Sequence, residues 1–403
     1  MSNQLATCAL LAKEALAVLE NMLTFASNVN RDWEDEFTSN QARGYSPGAT
    51  INIKRPPRYQ YRAGRVAAPQ ATVEGTIPLT LSQGGTDLNF TGFERTLSLQ
   101  QMESKLQAAM ATVANEVDRQ GLQLAHFATP NVIGTPGTLP TTQALALAAV
   151  TGVNQRLDEE AAPRDRQRAF IMNPGLNGAT VQGFAGLFNG QNTLTEQFKK
   201  GMMVDSLGLS YAMDQNVDNH VNGTAVVATN TVNGAGQQGT AITVNALNGT
   251  VTKGTKITFA NVFLVNPQSR VSTGTLAQFT VTADAAAAAT TLNISPALVN
   301  SGAFQSVTAS PANAAVITIF GTASGNYNTN VAFHKDAFTL AMVPMYAPPS
   351  GKGVIDVAQE SYKGMNMKVT EFYDGINDNY IIRFDVLFGW AATYPELACI
   401  YAT

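Results

Sequence analysis

Apolar side chains recur at steps of three and four residues in two segments, and this spacing predicts two amphipathic helices. Near the start of the chain the series runs from Leu5 to Leu23. A longer series keeps one face apolar from Leu99 to Val117, and Thr129-Pro130 then breaks the pattern. The second helix is therefore predicted to run for about 30 residues, which is long for a globular protein, and to stop at Thr129-Pro130.

Apolar and polar residues alternate near the C-terminus, as expected for half-buried strands. The runs are MKVTEF and YIIRFDVLF, and the second run places four large apolar residues on one face: Ile382, Phe384, Val386 and Phe388. Asp374-Gly375 between the runs is typical of a hairpin turn. The turn sequence DGIND is rich in oxygen ligands but lacks the spacing of a calcium-binding EF-hand loop. The pattern predicts a β-hairpin.

The remaining segments of the chain differ in composition and in the pattern of apolar residues. Residues 40–92 are rich in Gly and Pro around short alternating runs, which predicts an extended, hairpin-like excursion. Residues 131–221 mix helical patterns with the buried strand RQRAFIM, which predicts an α+β body. One of these helices ends in the acidic sequence LDEE at 157–160, which we interpret as a solvated helix end.

Residues 222–329 are dominated by Thr, Val, Ala, Asn and Gly, and charged residues are sparse there. Short β-branched runs such as AITVNAL, KITFANVFLV and TLNIS alternate with Gly, Asn and Pro turns. This spacing predicts a small all-β barrel or sandwich. The mixed α+β pattern of residues 131–221 resumes at Val331, so the β module is predicted to be an insertion into the α+β body.

Composition narrows the class of protein. Only 13% of the 403 residues are charged, about half the usual share, which favours a surface largely buried against neighbours. The net charge of −4 gives no field that would bind nucleic acid in bulk.

Cys8 and Cys399 form neither a disulfide framework nor a metal motif, which indicates a reducing compartment. The N-terminal sequence has no signal-peptide pattern, so we expect a soluble chain with no visible export signal.

The histidines are the first candidates for chemistry. His126, His220 and His334 lie in unrelated parts of the sequence, and none is at ligand spacing from another His or a Cys. His334 beside Lys335 and Asp336 is the best candidate for acid–base catalysis, but catalysis needs a convergent group of residues. We interpret His334 as a local hydrogen-bonding residue at the junction of a strand and a turn. No nucleotide, hydrolase or metalloprotease motif is present, so the sequence predicts no enzyme, cofactor or metal site.

A basic stretch, KRPPRYQYRAGR, is the strongest charge feature. It interleaves Tyr59 and Tyr61 with five cations: Lys54, Arg55, Arg58, Arg62 and Arg65. Three interpretations are open: nucleic-acid binding, a solvated loop, or an arm on an acidic patch of a neighbouring subunit. We favour the third. Its partner would be an acidic knot around Trp33, formed by Asp32, Glu34, Asp35 and Glu36.

The order of these segments resembles that of the major capsid proteins of tailed bacteriophages with the HK97-type fold, and more closely the P22-like coat proteins of short-tailed phages. Three phrases carry the resemblance. SYAMDQNVDNHVNGT is similar to the family's entry into its insertion, NVAFHKDAFTLAMVP to the return into the body, and FDVLFGWAATYPELACIYA to the C-terminal strand and tail. The insertion junctions would then contain His220, Val331, Phe333 and Phe338.

The resemblance implies a fold and a division into domains. The fold would be α+β, of the HK97 type, with an inserted all-β, barrel-like domain on the shell exterior. The expected segments are an N-terminal arm (1–39), an extended loop that overlaps a neighbouring subunit (40–92), the spine helix and peripheral domain (93–135), an axial and peripheral body (136–221), the inserted β domain (222–329), and the return to the body with the C-terminal hairpin (330–403).

The resemblance also implies a function. The chain would assemble with itself as hexamers and pentamers into an icosahedral shell around double-stranded phage DNA, without sequence-specific DNA binding. Assembly would pass through a procapsid that matures, with a separate scaffolding protein and a portal. The protein would be found in the virion, and in the host cytoplasm during assembly, with no membrane partner. Two alternatives stay open: an encapsulin-like shell that packages protein cargo, and a surface or adhesion protein with a β module.

Overall fold

The computed structural model describes residues 12–13, 15, 23–34, 37, 48–61, 64–66, 69–72, 74–91, 102–184, 205–347, 354–362 and 365–403. The α-helices are α1 (Met102–Ala128), α2 (Gln143–Glu159) and α3 (Pro174–Phe184). The strands, in chain order, are β1 (Thr50–Lys54), β2 (Thr76–Thr80), β3 (Ser82–Thr91), β4 (Asn131–Gly134), β5 (Arg168–Met172), β6 (Ser210–Met213), β7 (Asn219–Val221), β8 (Asn230–Thr231), β9 (Gly239–Thr243), β10 (Lys256–Val265), β11 (Ser272–Val281), β12 (Thr291–Leu298), β13 (Val316–Ile319), β14 (Asn326–His334), β15 (Phe338–Met342), β16 (Val354–Tyr362), β17 (Met365–Asp374), β18 (Asn379–Ala392) and β19 (Ala398–Ala402).

The chain divides into two compact units, and each is built from three separate segments. The first unit comprises Met1–Ile53, Ile77–Gly121 and Thr339–Ala391. The second unit comprises Lys54–Thr76, Leu122–Phe338 and Ala392–Thr403. Part of the predicted extended loop, 54–76, therefore clusters with the second unit.

The first unit contains a sheet of order β15-β18-β17-β16, in which β3 also pairs with β18. Strands β17 and β18 form the predicted hairpin, in register from Lys368 opposite Asp385 to Asp374 opposite Asn379. All the apolar residues predicted to share one face of β18 are buried. Residues 375–378 form the turn between the strands, so the hairpin and its turn are confirmed.

The same unit contains the small sheet β1-β2 and most of α1. A core cluster joins these strands to β15 and β18; its members include Ile51, Ile53, Leu79, Ala341 and Ala391. Helix α1 ends at Ala128, directly before Thr129-Pro130, as the sequence predicts. The predicted N-terminal helix lies mostly outside the described residues, although Ala12, Lys13 and Ala15 are helical.

The second unit contains a sheet of order β4-β19-β14-β5-β6, and β7 also pairs with β14. Strand β5 is buried along its whole length and is followed by Asn173-Pro174, as predicted for RQRAFIM. Helix α2 starts after Thr142, whose side chain accepts a hydrogen bond from the backbone N–H of Leu145, because a threonine at this position satisfies a free helix N–H. Helices α2 and α3 pack apolar residues against β5.

A second sheet of this unit has the order β8-β13-β10-β11-β12-β9 and is antiparallel throughout. A bridge between Val232 and Val244 joins its two edges. Alternate residues of the long strands face a core that includes Ile257, Phe259, Phe279 and Ile294. The β-branched runs of residues 222–329 are thus strands, as predicted. Their assignment as an inserted domain stays a prediction.

Candidate assembly surface and insertion junction

The basic stretch has no regular secondary structure between Arg55 and Tyr61. Tyr61 is 95% exposed and Tyr59 is 54% exposed. Arg65 is exposed as well, whereas Arg62 lies outside the described residues. Two aromatic rings therefore face solvent beside several cations. Such a surface suits contact with another macromolecule.

Part of the basic stretch is bound to the chain's own C-terminal segment. Arg55 donates a hydrogen bond from Nε to the carbonyl oxygen of Thr393 at 2.8 Å. Both Arg55 and Arg58 lie near the Glu396 carboxylate, at 3.4 and 3.6 Å. Lys54 pairs with Glu74 at 3.3 Å. No sequence pattern points to Glu396, because it is more than 300 positions away along the chain and follows no motif.

The acidic knot is only partly visible. Glu34 accepts hydrogen bonds from Arg31 at 2.9 Å and from the backbone N–H of Met342 at 3.2 Å. Asp32 is exposed, whereas Asp35 and Glu36 lie outside the described residues. Glu34 thus has partners within its own unit. Contact between the basic stretch and a neighbour's acidic knot stays a prediction.

The residues predicted at the return from the insertion lie in the core. Val331 and Phe333 belong to β14, which runs between β5 and β19. Both are fully buried, as is Phe338 at the start of β15. The rings of Phe333 and Phe338 meet edge to face, with centroids 5.6 Å apart. These residues anchor the end of β14 by packing.

His334 is the last residue of β14, and its contacts are local. Its Nδ1 accepts a hydrogen bond from the backbone N–H of Asp336 at 3.3 Å, which caps a short 3₁₀ turn. Its Nε2 lies 3.2 Å from the Asp165 carboxylate. The prediction of a hydrogen-bonding residue at a strand-to-turn junction is confirmed.

His126 and His220 are brought together by the fold, which corrects the sequence interpretation that the histidines are unrelated. Nε2 of His126 lies 2.9 Å from Nδ1 of His220. Nδ1 of His126 lies 2.6 Å from the Asp218 carboxylate, and Nε2 of His220 lies 3.2 Å from the Thr255 hydroxyl. The result is a buried polar chain that links the end of α1, strand β7 and the start of β10. Sequence spacing could not reveal it, since the histidines are 94 residues apart.

Lys256, the first residue of β10, is buried beside this chain at 1% exposure. Its Nζ donates to the carbonyl oxygens of His126 at 2.8 Å and Thr129 at 2.5 Å. A third hydrogen bond, of 2.8 Å, goes to the Thr280 hydroxyl. A lysine from the six-stranded sheet thus supplies donors to the C-terminal end of α1, where carbonyl groups lack helix partners.

Burial lowers the pKa of all three basic side chains at this site, His126, His220 and Lys256. It lowers the pKa of His220 to about 3, and His126 and Lys256 act in the same direction when they are protonated. Burial also lowers the pKa of His126, against the effect of Asp218. The pKa of Lys256 is lowered by burial too. Both histidines are therefore neutral at pH 7, each with one ring nitrogen able to donate and one able to accept.

The acidic end of α2 was wrongly interpreted as a solvated helix end. Leu157 is fully buried, and Glu160 is only 9% exposed. Asp158 binds Arg168 at 2.8 Å, and Glu159 binds Arg156 at 3.0 Å. Burial raises the pKa of Glu160 to about 8. Arg156 and Arg168 are close in sequence, but Thr275, whose hydroxyl also donates to Glu159 at 2.8 Å, is 116 residues away, so the charge pattern alone did not show that this helix end is covered.

Within the residues that the structure describes, no three His, Cys, Asp or Glu side chains converge as metal ligands would. None of the described helices combines the length and the apolar run needed to cross a bilayer. The geometry points to packing and contact surfaces.

A comparison with protein families decides which class of protein this is. The family described as "P22 coat protein - gene protein 5" matches residues 73–402, most of the chain. The chain belongs to the P22 coat protein family. Coat proteins of this family are structural proteins of the phage capsid, so the chain is a major capsid protein that assembles with itself into the shell and is part of the virion.

The comparison with solved structures shows the fold of this coat protein. A structure from Mycobacterium phage Che8 matches with a TM-score of 0.51 and 11% identity, over 94% of this chain and 90% of that chain. The fold is the mixed α+β fold of HK97-type phage capsid proteins.

Two further structures resemble the coat protein more distantly. The capsid of cyanophage P-SCSP1u matches with a TM-score of 0.41 and 10% identity, over 88% of this chain and 84% of that chain. The mature capsid of bacteriophage PhiM1 matches with a TM-score of 0.44 and 7% identity, over 88% and 82%. The comparison with curated proteins gave no match.

Proposed function

We propose that this coat protein forms hexamers and pentamers of an icosahedral shell around double-stranded phage DNA. Assembly proceeds in the host cytoplasm through a procapsid that matures, with a separate scaffolding protein and a portal. The protein acts as a structural component and not as an enzyme. The family match over residues 73–402 is the observation that supports this proposal.

The proposed neighbour contact uses the basic stretch. Arg55 and Arg58 lie near Glu396 of the same chain, whereas Arg65 is exposed, so the proposed contact is assigned to the later part of the stretch, Arg62 and Arg65. Arginine forms strong, oriented pairs with carboxylates, and Asp32, Glu34, Asp35 and Glu36 are the candidate partners. Exposed Tyr59 and Tyr61 add apolar contact area.

Electron microscopy of the recombinant chain, alone and with a scaffolding protein from the same phage, tests the shell. We expect closed shells or capsomers, whereas a stable isolated monomer at high concentration would contradict the proposal. The contents of purified particles separate DNA packaging from the encapsulin-like alternative, in which a cargo protein replaces DNA.

The contact is tested by reversing two charges in the later part of the basic stretch. We expect Arg62→Glu with Arg65→Glu to reduce particle yield at least several-fold, because each lost contact is repeated in every subunit. Arg166 is an exposed arginine elsewhere in the second unit. The Arg166→Glu variant is the matched control, and its subunits should assemble normally. Normal particles that retain DNA poorly would indicate that the stretch binds nucleic acid.

A further inference from the structure

The second unit contains a cavity of about 280 Å³ between the basic stretch, the six-stranded sheet and the C-terminal segment. Its inner wall is formed by Leu264, Phe279, Val299 and Val307. Leu264, Phe279 and Val307 belong to the core of the six-stranded sheet. The inner end of the cavity is therefore an apolar surface.

The outer end of the cavity is polar. Arg58, Glu160, Tyr394 and Glu396 line both this cavity and a wider cleft of about 950 Å³ that adjoins it. The cavity thus changes from apolar at its inner end to charged where it meets the cleft. A ligand that matches it has a polar head and a short apolar body.

Positive charge exceeds negative charge at this outer end. Two guanidinium groups, of Arg55 and Arg58, share the single carboxylate of Glu396 at 3.4 and 3.6 Å. Arg58 also lies over the ring of Phe304, 5.9 Å from its centroid. Within the described part of the chain, the Arg58 guanidinium donates no hydrogen bond. Its N–H groups are available to an anion.

Glu160 is the second carboxyl at the outer end, and it does not cancel this positive charge at neutral pH. It is 9% exposed, and no hydrogen bond to its carboxyl group exists among the described residues. Burial raises its pKa to about 8, and the nearby Glu396 acts in the same direction against Arg156 and Arg58. At pH 7 the group is a neutral acid whose O–H can donate.

We propose that this cavity binds a small amphipathic carboxylate. The ligand's carboxylate accepts hydrogen bonds from Arg58 and from the Glu160 acid, and its aliphatic body packs against Leu264, Phe279 and Val307. The volume of about 280 Å³ lies just below the range of about 300–1,000 Å³ for small-molecule sites, which favours a short chain. A ligand with an ammonium head would meet two guanidinium groups and bind weakly.

Isothermal titration of the full-length chain with octanoate and octylamine at pH 7 tests the head-group preference. The two probes share one aliphatic body and differ in the sign of the head. We expect saturable binding of octanoate and at least ten-fold weaker binding of octylamine. Absence of saturable octanoate binding, or octylamine binding of equal or greater strength, overturns the proposal.

Variants at each end of the cavity test the location. Arg58→Gln removes a charge-assisted hydrogen bond and should weaken octanoate binding about ten-fold or more. Val299→Phe fills the apolar end and should weaken binding of the same probe. Arg166→Gln, outside the cavity, should bind like the parent chain. If the folded Arg58→Gln and Val299→Phe chains both bind octanoate normally, the proposed site is wrong.

The pH profile tests Glu160 separately. Octanoate stays ionised above pH 7, whereas Glu160 loses its donor proton around pH 8. The groups that face Glu160 are Arg156 and Glu159 from α2, Arg58 from the basic stretch, and Glu396. We expect octanoate affinity to fall several-fold between pH 7 and 9, and Glu160→Gln, which keeps a donor, to flatten that fall. An unchanged fall in this variant excludes Glu160 as the donor.

Discussion

Lys256 places an amino group inside the second unit without a carboxylate partner among its hydrogen bonds. Its three donors reach two carbonyl oxygens at the end of α1 and the Thr280 hydroxyl. Carbonyl groups near a helix C-terminus carry partial negative charge, which favours a cation there. At the scale of a single residue, this side chain joins the six-stranded sheet to α1 because it donates to several buried acceptors at once, and the Thr280 hydroxyl supports it by donating to the Thr129 carbonyl oxygen at 2.7 Å.

Lys256→Met keeps the apolar stem and removes all three donors. Each buried acceptor left without a partner costs about 1–3 kcal/mol, so we expect a loss of at least that size in the free energy of unfolding by urea. Lys253→Met is the matched control: Lys253 is exposed, its ammonium lies over the Phe127 ring at 4.6 Å, and its replacement should cost no more than about 1 kcal/mol. Equal losses in the two variants would contradict the role given to Lys256.

The pair His126 and His220 makes stability depend on pH. The pKa of His220 is about 3 in the folded chain and about 6.5 when unfolded. Between these values the unfolded state binds more protons, so this contribution is complete above pH 6.5 and is lost as the pH falls toward 3. We expect urea midpoints to decrease from pH 7 to 4.5, and His220→Gln to show a shallower decrease. An identical slope would exclude His220 as the cause.

Helix α1 also organises the first unit, and here the relevant scale is the element. The Asp118 carboxylate accepts hydrogen bonds from the backbone N–H groups of Thr24, Phe25 and Ala26 at 2.6, 3.2 and 3.0 Å. A tilted contact between the rings of Phe25 and Trp390 completes the attachment, with centroids 5.3 Å apart. The segment before the acidic knot is therefore fixed to α1 by one buried carboxylate and two aromatic rings.

Gly121 allows these rings to approach α1. A Cβ atom at this position would lie 2.6 Å from Trp390 and 2.7 Å from Phe25. We expect Gly121→Ala to lower the melting temperature, even though alanine is the better helix former by about 1 kcal/mol. Gly178→Ala in α3 has open space for its Cβ and should raise the melting temperature slightly. A stabilised Gly121→Ala chain would show that the rings move aside easily.

The elements were predictable where the signal is local. The end of α1 follows from Thr129-Pro130, and the β17–β18 hairpin follows from strict alternation around Asp374-Gly375, because both patterns depend on neighbours in sequence. The contacts of Lys256, Glu396 and the His126–His220 pair could not be predicted. They join residues about 90 to 340 positions apart and follow no motif. For the contacts of Lys256, the one sequence signal was a lone lysine at the start of the apolar run KITFANVFLV.

At the scale of the whole molecule, low charge fits a chain that contacts many copies of itself. The net charge is −4, and several cations of the basic stretch are paired within the chain. Repulsion between subunits is therefore small, and the proposed shell would enclose DNA without binding it tightly. Many weak symmetric contacts, each repeated over the shell, then determine the stability of the particle.

The unassembled chain should accordingly bind duplex DNA poorly. We expect a Kd no tighter than the range of about 10⁻⁴–10⁻⁶ M for non-specific binding at physiological salt, measured by fluorescence anisotropy. Arg65→Glu should leave this value unchanged within two-fold or so. Tight binding that this substitution abolishes would favour the nucleic-acid interpretation of the basic stretch.

The division of each unit into three chain segments has a consequence for biosynthesis. The first unit needs Thr339–Ala391 as well as residues before Gly121, and the second needs Ala392–Thr403 as well as Lys54–Thr76. Neither unit can be completed on the ribosome until those late segments emerge. Apolar strands that are synthesised earlier therefore stay unpaired until then. Such high contact order slows folding and exposes the nascent chain to aggregation. Expression at low temperature or with added chaperones should therefore raise the yield of soluble subunits before any shell can form.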